Sequence, residues 1–192
     1  MIEVFKERSD KKSLAPVIGS MRILHFRIPP YSYAGSFEYE QEYLQTYLDD
    51  ENSFFIISGD PNQSKIDGIL TAIPFSKVHD WFGDAGNKYE EKGYSLDDIL
   101  YIGEIIVSPE ARGQSVAKRM IESFLSIAKP QFKLSNLCTH SLSTADNELY
   151  RKMGYSESGI VVSNKYPTIE SFTTIKDHTH NHIFLEQSLC SM

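Results

Sequence analysis

The sequence predicts an α/β fold in which helices cover a mixed β-sheet. Residues 99–107 form a near-continuous apolar run, which is typical of a central strand covered on both faces. An amphipathic helical pattern follows at 112–129, and strand-like and helix-like segments alternate elsewhere. With 192 residues and an ordinary apolar share of 41%, the chain is long enough for one sizeable core. We therefore expect a single domain over 1–192.

The first half of the chain is predicted to form a strand, two helices and a hairpin. Alternating side chains indicate the strand, and a proline in a first helical turn marks the start of the first helix. Aromatic and leucine residues at helical spacing indicate the second helix, and the turn residues GDPNQS join two strands into an antiparallel hairpin. The predicted bounds are 2–7, Pro16 to about Phe26, 37–50, 53–58 and 65–74.

The second half continues this alternation after one long polar segment. Residues 75–98 are polar, glycine-rich and aromatic, which predicts a loop or short helix; a segment of this length is usually functional or disordered. Pro130 and Gly154 end the two later helices. The predicted elements are a strand at 99–107, a helix from Arg112 to Lys129, a strand at 133–140, a helix from Thr144 to Met153, and strands at 157–163 and 182–189.

Composition and charge argue against several classes of protein. The net charge of −7 and the lack of a basic tract argue against nucleic-acid binding and favour cationic or neutral partners. Cys138 and Cys190 have no metal or redox spacing, as expected for reduced thiols in the cytosol. The N-terminus has no apolar signal core, and no apolar run approaches the roughly 20 residues that span a bilayer. We expect a cytoplasmic protein that binds neither nucleic acid nor membrane.

The stretch VSPEARGQSVAKRM places small residues at the start of a helix that follows the apolar strand. A helix N-terminus presents unpaired N–H groups and the positive end of a dipole, which attract phosphate. Gly113, Ser115 and Ala117 keep bulk away from these groups, and Arg112 adds a charge suited to oxyanions. The alternative is an ordinary tight strand-to-helix turn. Neither a P-loop nor a Rossmann glycine pattern is present.

The longer stretch IIVSPEARGQSVAKRMI resembles the acetyl-CoA signature of the GNAT superfamily of N-acetyltransferases. In that signature a strand leads through V-x-P-x-x-R into the pattern Q/R-x-x-G-x-G/A at a helix start. Arg112 fills its first position and Ala117 its last, while Ser115 stands where glycine is usual. The stretch NELYRKMGY resembles the family's L-Y-x-x-x-G-F helix end, with Tyr155 in place of phenylalanine. Ser143 occupies the place of a usual asparagine.

The resemblance implies the GNAT fold, a central mixed and mostly antiparallel sheet flanked by helices. It also implies transfer of an acetyl group from acetyl-CoA to a primary amine of a small molecule or peptide by direct attack. We expect the acidic composition and the Glu-rich segment 38–42 to favour a cationic acceptor, and a homodimer is possible. The alternative, which Ser115 and Ser143 keep open, is a non-catalytic GNAT-fold module that binds acyl-CoA as a sensor or interaction domain.

The resemblance also assigns residues to the acetyl-CoA site. The backbone of the strand end is expected to hold the pantetheine amides, and the helix start is expected to hold the diphosphate. The expected cofactor-binding residues are Ile105, Ile106, Val107, Arg112, Gly113, Gln114, Ser115, Val116, Ala117, Ser143, Asn147 and Tyr150. Tyr150 is also expected to donate its phenolic proton to the leaving thiolate, the alternative being an aromatic core residue.

Glu104 is the candidate general base. It lies within the apolar central strand, where an unpartnered carboxylate is costly and burial raises its affinity for a proton. The alternative is a carboxylate that is paired with a lysine or faces solvent at a bulge near Gly103. His140, at the end of the next strand, is the reserve candidate, with an ordinary loop histidine as the alternative.

Three further features have both a functional and a structural explanation. His178, His180 and His182 alternate along a strand, but no fourth ligand is evident, so we expect no metal site. The tyrosines at 39, 43 and 47 form a helical stripe that either packs on the sheet or forms an aromatic wall for a cationic substrate. Trp81 and Phe82, in the long polar segment, either cap an acceptor pocket or anchor the loop.

Overall fold

The computed structural model describes residues 1–61, 65–171 and 174–189, without the side chains of 145 and 164–179. Within these residues the chain forms one seven-stranded sheet flanked by helices. The strands are β1 (Ile2–Phe5), β2 (Phe54–Asp60), β3 (Lys65–Pro74), β4 (Ile99–Val107), β5 (Leu134–His140), β6 (Ser156–Ser171) and β7 (Thr174–Ser188). The helices are α1 (Arg8–Phe26), α2 (Phe37–Asp49), α3 (Ala85–Glu91), α4 (Val116–Ala128) and α5 (Thr144–Lys152).

The sheet is mixed and mostly antiparallel, as the sequence predicts. Its strand order is β1-β2-β3-β4-β5-β7-β6, in which β4 and β5 are parallel and the other described neighbours are antiparallel. Side chains of β2 alternate between two cores, because successive strand residues point to opposite faces. Phe54 and Ile56 pack with α4, whereas Phe55 and Ile57 pack with α1 and α2.

The first helix begins earlier than predicted, at Arg8 instead of Pro16. The ammonium group of Lys11, in its first turn, donates hydrogen bonds at 2.8 Å to the carbonyl oxygens of Tyr47 and Asp50 at the end of α2. These bonds and the packing of α1 on α2 compensate for the hydrogen bond that an internal proline removes. A proline is therefore a poor marker of this helix start.

The fourth helix begins later than predicted, at Val116 instead of Arg112. Gly113 and Ser115 have φ angles of 75° and 58°. Both lie in the left-handed region, which interrupts a right-handed helix. The residues before Val116 therefore form a turn that leads from β4 into α4.

The remaining differences concern segment lengths. The predicted loop at 75–98 contains short 3-10 turns at Phe75–Lys77, His79–Phe82 and Leu96–Asp98 as well as α3. The tail strands are longer than predicted, because β6 and β7 pair along an extended hairpin. The GDPNQS turn falls partly on residues 62–64, and Cys190 and the side chain of His178 also lie outside the described part of the chain.

The end of β4 opens a cleft in the sheet. β4 pairs with β5 only over Ile99–Ile102, although it continues along β3 as far as Val107. The register shift opposite Thr71 forms a β-bulge at Gly103 and Glu104, where two residues of β4 face one residue of β3. A bulge bends its strand, so β4 and β5 separate beyond it. Within the described residues, no helix combines the length and the apolar character needed to cross a bilayer.

Candidate active site

Two cavities meet at this cleft. The turn cavity, of about 680 Å³, lies between the end of β4, the turn before α4, α5 and residues 28–31. The aromatic cavity, of about 630 Å³, extends from the other side of β4 towards α2 and residues 81–84. Ile105 and Tyr150 lie on the walls of both. A molecule in one cavity can therefore contact a molecule in the other beside β4.

The turn cavity contains a site suited to phosphate. The hydrogen-bond ladder of α4 begins with the Arg119 N–H, which donates to the Ser115 carbonyl at 3.1 Å. The N–H groups of Val116 and Ala117 therefore have no acceptor within the helix. A Cβ added at Gly113 meets no described atom within 4 Å, so the space in front of the turn is open. Open N–H groups at a helix start fit a diphosphate.

Most of the predicted cofactor-binding residues lie on the wall of the turn cavity. Gln114 does not, because its side chain donates to the Glu110 carbonyl at 3.0 Å. Asn147 is buried within α5 and also lies away from the wall. Ser143 lies on the wall, and its hydroxyl donates to Asp146 Oδ2 at 2.8 Å. The predicted residues on the wall are Ile105, Ile106, Val107, Arg112, Gly113, Ser115, Val116, Ala117, Ser143 and Tyr150.

Tyr150 is buried where the two cavities meet. Burial raises the pKa of its phenol well above the ordinary value, and the nearby Asp146 carboxylate raises it further. The phenol therefore keeps its proton at neutral pH, the form in which it can donate a hydrogen bond. The neighbouring Tyr155 is a core residue instead, because its hydroxyl lies 2.7 Å from Ser135 Oγ.

Glu104 lies on the wall of the aromatic cavity, with only 3% of its surface exposed. The Tyr43 hydroxyl donates to its Oε1 at 2.5 Å, and the Thr71 hydroxyl donates to its Oε2. The Arg22 guanidinium forms an ion pair with Oε1. The sequence left open a carboxylate that is paired with a basic residue near a bulge at Gly103; Glu104 lies at that bulge and is paired with an arginine instead of a lysine.

Arg22 joins Glu104 to a second buried carboxylate. Its Nε donates to Glu40 Oε2 at 2.5 Å, and the Tyr33 hydroxyl donates to Glu40 Oε1 at 2.8 Å. The Arg22 guanidinium also lies 3.9 Å from the centre of the Tyr43 ring, a cation–π distance. We call Arg22, Glu40 and Glu104 the charge cluster. It contains two negative charges and one positive charge.

Neither Arg22 nor Glu40 was predicted from the sequence as a site residue. One sequence signal for Arg22 was available. It lies four residues from both Ile18 and Phe26, on the apolar stripe of α1. A charged residue at a buried helical position is costly unless it has a partner, so this position indicates a buried ion pair.

The tyrosine stripe of α2 forms both core and cavity wall. Tyr47 is fully buried, whereas Tyr39 is 52% exposed and lies at the mouth of the aromatic cavity. Trp81 lies there too, with its ring centre 4.9 Å from that of Tyr43. The cavity is lined by the aromatic side chains of Phe26, Tyr31, Tyr33, Tyr39, Tyr43, Trp81, Phe82, Tyr101 and Tyr150.

The histidines near the end of β5 form a separate cluster. His140 accepts a hydrogen bond from the Leu142 N–H at Nδ1, and its Nε2 lies 3.3 Å from His180 Nδ1. Both of its ring nitrogens are therefore engaged, which disfavours His140 as a general base. His182 lies on the wall of the aromatic cavity. Among the described residues, no group of three or more His, Cys, Asp or Glu side chains can hold a metal ion.

Comparison with known proteins agrees with the sequence motifs. Residues 76–157 match the family model described as an acetyltransferase (GNAT) domain. A search of curated protein sequences gave no match. The matched residues include β4, the turn before α4, and α5, which together surround most of the turn cavity. The match indicates acetyl transfer as the general activity.

Solved structures show that the fold extends over the whole chain. An N-acetyltransferase from Staphylococcus aureus Mu50 superposes with a TM-score of 0.62 at 13% identity, covering 99% of each chain. A ribosomal-protein-alanine N-acetyltransferase from Brucella melitensis gives 0.64 at 10% identity, covering 98% of this chain and 99% of its own. An aminoglycoside 6′-acetyltransferase type Ii gives 0.61 at 16% identity, covering 100% of this chain and 99% of its own. We conclude that the chain has the GNAT fold and that its residues 76–157 match the acetyltransferase (GNAT) domain family.

Proposed function

We propose that the chain is a single-domain N-acetyltransferase that transfers the acetyl group of acetyl-CoA to a primary amine. The observation that carries this proposal is the junction of the two cavities at Ile105 and Tyr150. A donor in the turn cavity and an amine in the aromatic cavity meet there, and holding them together supplies much of the catalysis. The family match at 76–157 supports the same activity.

The turn cavity is the proposed acetyl-CoA site. The N–H groups of Val116 and Ala117 are available for the diphosphate, and Arg112 lies on the same wall. From Ile105 to Val107 β4 pairs with β3 but not with β5, so the backbone groups that point away from β3 are available for the pantetheine. When bound, acetyl-CoA supplies an activated acetyl group as a thioester. A β4 N–H group near its carbonyl would stabilise the developing negative charge.

Glu104 is the proposed acceptor of the amine proton. An alkylamine with a pKa of about 10.4 arrives as an ammonium ion and must lose a proton before it attacks. A carboxylate has about four positions for hydrogen bonds, and the described residues supply three donors to Glu104, so it can accept one more from the ammonium. Arg22 holds this carboxylate in position at the cavity wall.

Tyr150 is the proposed donor to the leaving thiolate. Its side chain lies on both cavity walls, and its raised pKa keeps the phenol protonated at neutral pH. A thiolate needs only modest help to leave, so a hydrogen bond from this phenol is sufficient.

The alternative is a GNAT-fold module that binds acyl-CoA without catalysis. The three donors around Glu104 favour it, because they also suit a purely structural ion pair. The two functions are separated by measuring acetyl-CoA binding by calorimetry and release of free CoA thiol with a panel of amines. Binding with amine-dependent thiol release supports the enzyme, whereas binding without release supports the alternative.

The Tyr150→Phe variant tests the proposed chemistry further. We expect kcat to fall about tenfold while the acetyl-CoA dissociation constant changes less than about twofold, because the hydroxyl acts on the leaving group. Tyr155→Phe is the matched control, since its hydroxyl bonds to Ser135 in the core. Equal losses of kcat and affinity in Tyr150→Phe would assign this tyrosine a structural role.

A further inference from the structure

The mouth of the aromatic cavity is formed by rings from two separate elements. Tyr39 and Tyr43 come from α2, and Trp81 comes from the 3-10 turn at His79–Phe82. The rings of Tyr39 and Tyr43 are stacked with centres 6.4 Å apart, and the Trp81 ring lies against Tyr43. Tyr39 and Trp81 are 52% and 38% exposed, so both retain ring surface that a ligand can cover.

The inner end of the cavity carries an excess of negative charge. In the charge cluster, Arg22 is shared between Glu40 and Glu104, which leaves one negative charge in excess. Elsewhere on the cavity wall lie two acidic side chains and one basic side chain (Asp84, Asp146 and Lys88). An ammonium ion at Glu104 would balance the charge cluster, and this pairing is strengthened by the burial of the Glu104 carboxylate.

The distance between the two ends is set by Tyr43. Its hydroxyl contacts Glu104 at 2.5 Å, while its ring lies 4.9 Å from the Trp81 ring. A ligand that lies along Tyr43 therefore needs about the length of one tyrosine side chain to join an ammonium at Glu104 to a ring at the mouth. A primary amine separated from an aromatic ring by two or three carbon atoms has this length.

We infer, on the basis of the proposed function, that the acceptor is a small arylalkylamine. Its ammonium group binds at Glu104, and its ring binds against Tyr39 and Trp81 at the mouth. The cavity volume of about 630 Å³ lies within the range for small-molecule sites. A polyamine suits the cavity less well, because it has no ring to cover the exposed faces of Tyr39 and Trp81 at the mouth.

The first test compares acceptors in the thiol-release assay. We expect kcat/KM for 2-phenylethylamine and tryptamine to exceed that for butylamine by about tenfold or more, because butylamine lacks the ring. Spermidine and a short peptide with a free N-terminus are expected to be poorer still. The inference would be overturned if kcat/KM for butylamine, spermidine or the peptide equals that for the arylalkylamines. The proposed function would then still hold. If none of the amines tested causes thiol release, both the inference and the proposed function are overturned.

The second test uses variants at the mouth with a matched control. Tyr39→Ala and Trp81→Ala should each raise KM for 2-phenylethylamine about tenfold and change KM for butylamine less than about threefold. Phe37→Ala is the control, because Phe37 is 59% exposed on the same helix and lies away from the cavity wall. Equal effects of all three variants, or equal effects on both amines, would overturn the inference.

A binding measurement gives a signal that does not depend on turnover. The chain has one tryptophan, Trp81, so its fluorescence reports directly on the cavity mouth. With excitation at a wavelength that the ligand does not absorb, 2-phenylethylamine should change the emission in a saturable manner, and butylamine should not. An unchanged emission at saturating 2-phenylethylamine would contradict contact between its ring and Trp81.

Discussion

The Arg22→Met substitution removes the guanidinium that lies between Glu40 and Glu104. The wild-type ion pairs are almost fully desolvated, with side-chain exposures of 10% for Arg22 and 2% for each glutamate. Removing one partner of a buried pair leaves an uncompensated charge and typically costs about 3–5 kcal/mol. Because Arg22 serves two carboxylates, we expect the free energy of unfolding to fall by at least about 3 kcal/mol.

The assay is urea unfolding followed by circular dichroism, with the slope against urea checked for each variant. Arg151→Met is the matched control, because Arg151 pairs with Glu157 at 2.7 Å with both side chains about half exposed. An exposed pair contributes less than about 1 kcal/mol. The triple variant Arg22→Met, Glu40→Gln, Glu104→Gln should recover part of the loss, since it contains no buried charge in the cluster. If Arg22→Met lowers the free energy of unfolding no more than Arg151→Met does, Arg22 does not stabilise the fold through its buried ion pairs.

Three further substitutions test the turn, the bulge and the cavity wall. Ser115→Gly should raise the free energy of unfolding by about 1 kcal/mol in urea, since glycine adopts the left-handed conformation without strain, and should not weaken acetyl-CoA binding measured by calorimetry. Gly103→Ala should lower kcat about tenfold at unchanged acetyl-CoA affinity, because the new Cβ overlaps the Tyr47 hydroxyl and lies 2.7 Å from Thr71 Oγ1 beside Glu104. His182→Gln should reduce the acid sensitivity of folding. Burial, with two neighbouring histidines, lowers the pKa of His182 from 6.5 to about 4, so the unfolded chain binds more protons between these values and stability falls as pH drops through that window. For this residue alone, we expect the free energy of unfolding to fall by on the order of 3 kcal/mol between pH 6.5 and 4. Urea unfolding at both pH values should show that this contribution is absent in the variant. Wild-type and variant stabilities that fall equally with pH would contradict this assignment.

Strong local patterns predicted the central part of the fold. The apolar run at 99–107 is a strand with the predicted bounds, because a strand covered on both faces leaves a continuous apolar signature. The start of α4 was placed too early, because Gly113 and Ser115 adopt left-handed conformations that depend on the turn as a whole. The spacing of apolar residues in the sequence does not reveal these conformations. The extended pairing of β6 with β7 was missed because the sequence of residues 164–179 shows no regular alternation of apolar and polar residues.

The candidate site was predicted where it depends on local sequence. The signature after β4 and the Tyr150 motif each lie within a short stretch, and the structure brings them to one cavity. The partners of Glu104 were not predictable, because they come from α1, α2 and β3 and are joined only by tertiary packing. For the same reason, residue spacing did not distinguish the exposed ring of Tyr39 from the buried ring of Tyr47.

A crystal structure of the protein soaked with acetyl-CoA is the most direct measurement. We expect the diphosphate at the N–H groups of Val116 and Ala117, the pantetheine along Ile105 to Val107, and the sulfur atom beside the Tyr150 hydroxyl. The acetyl group should then face Glu104 across the junction of the two cavities. Acetyl-CoA bound elsewhere, or a turn before α4 that stays empty at saturating ligand, would contradict the proposed acetyl-CoA site.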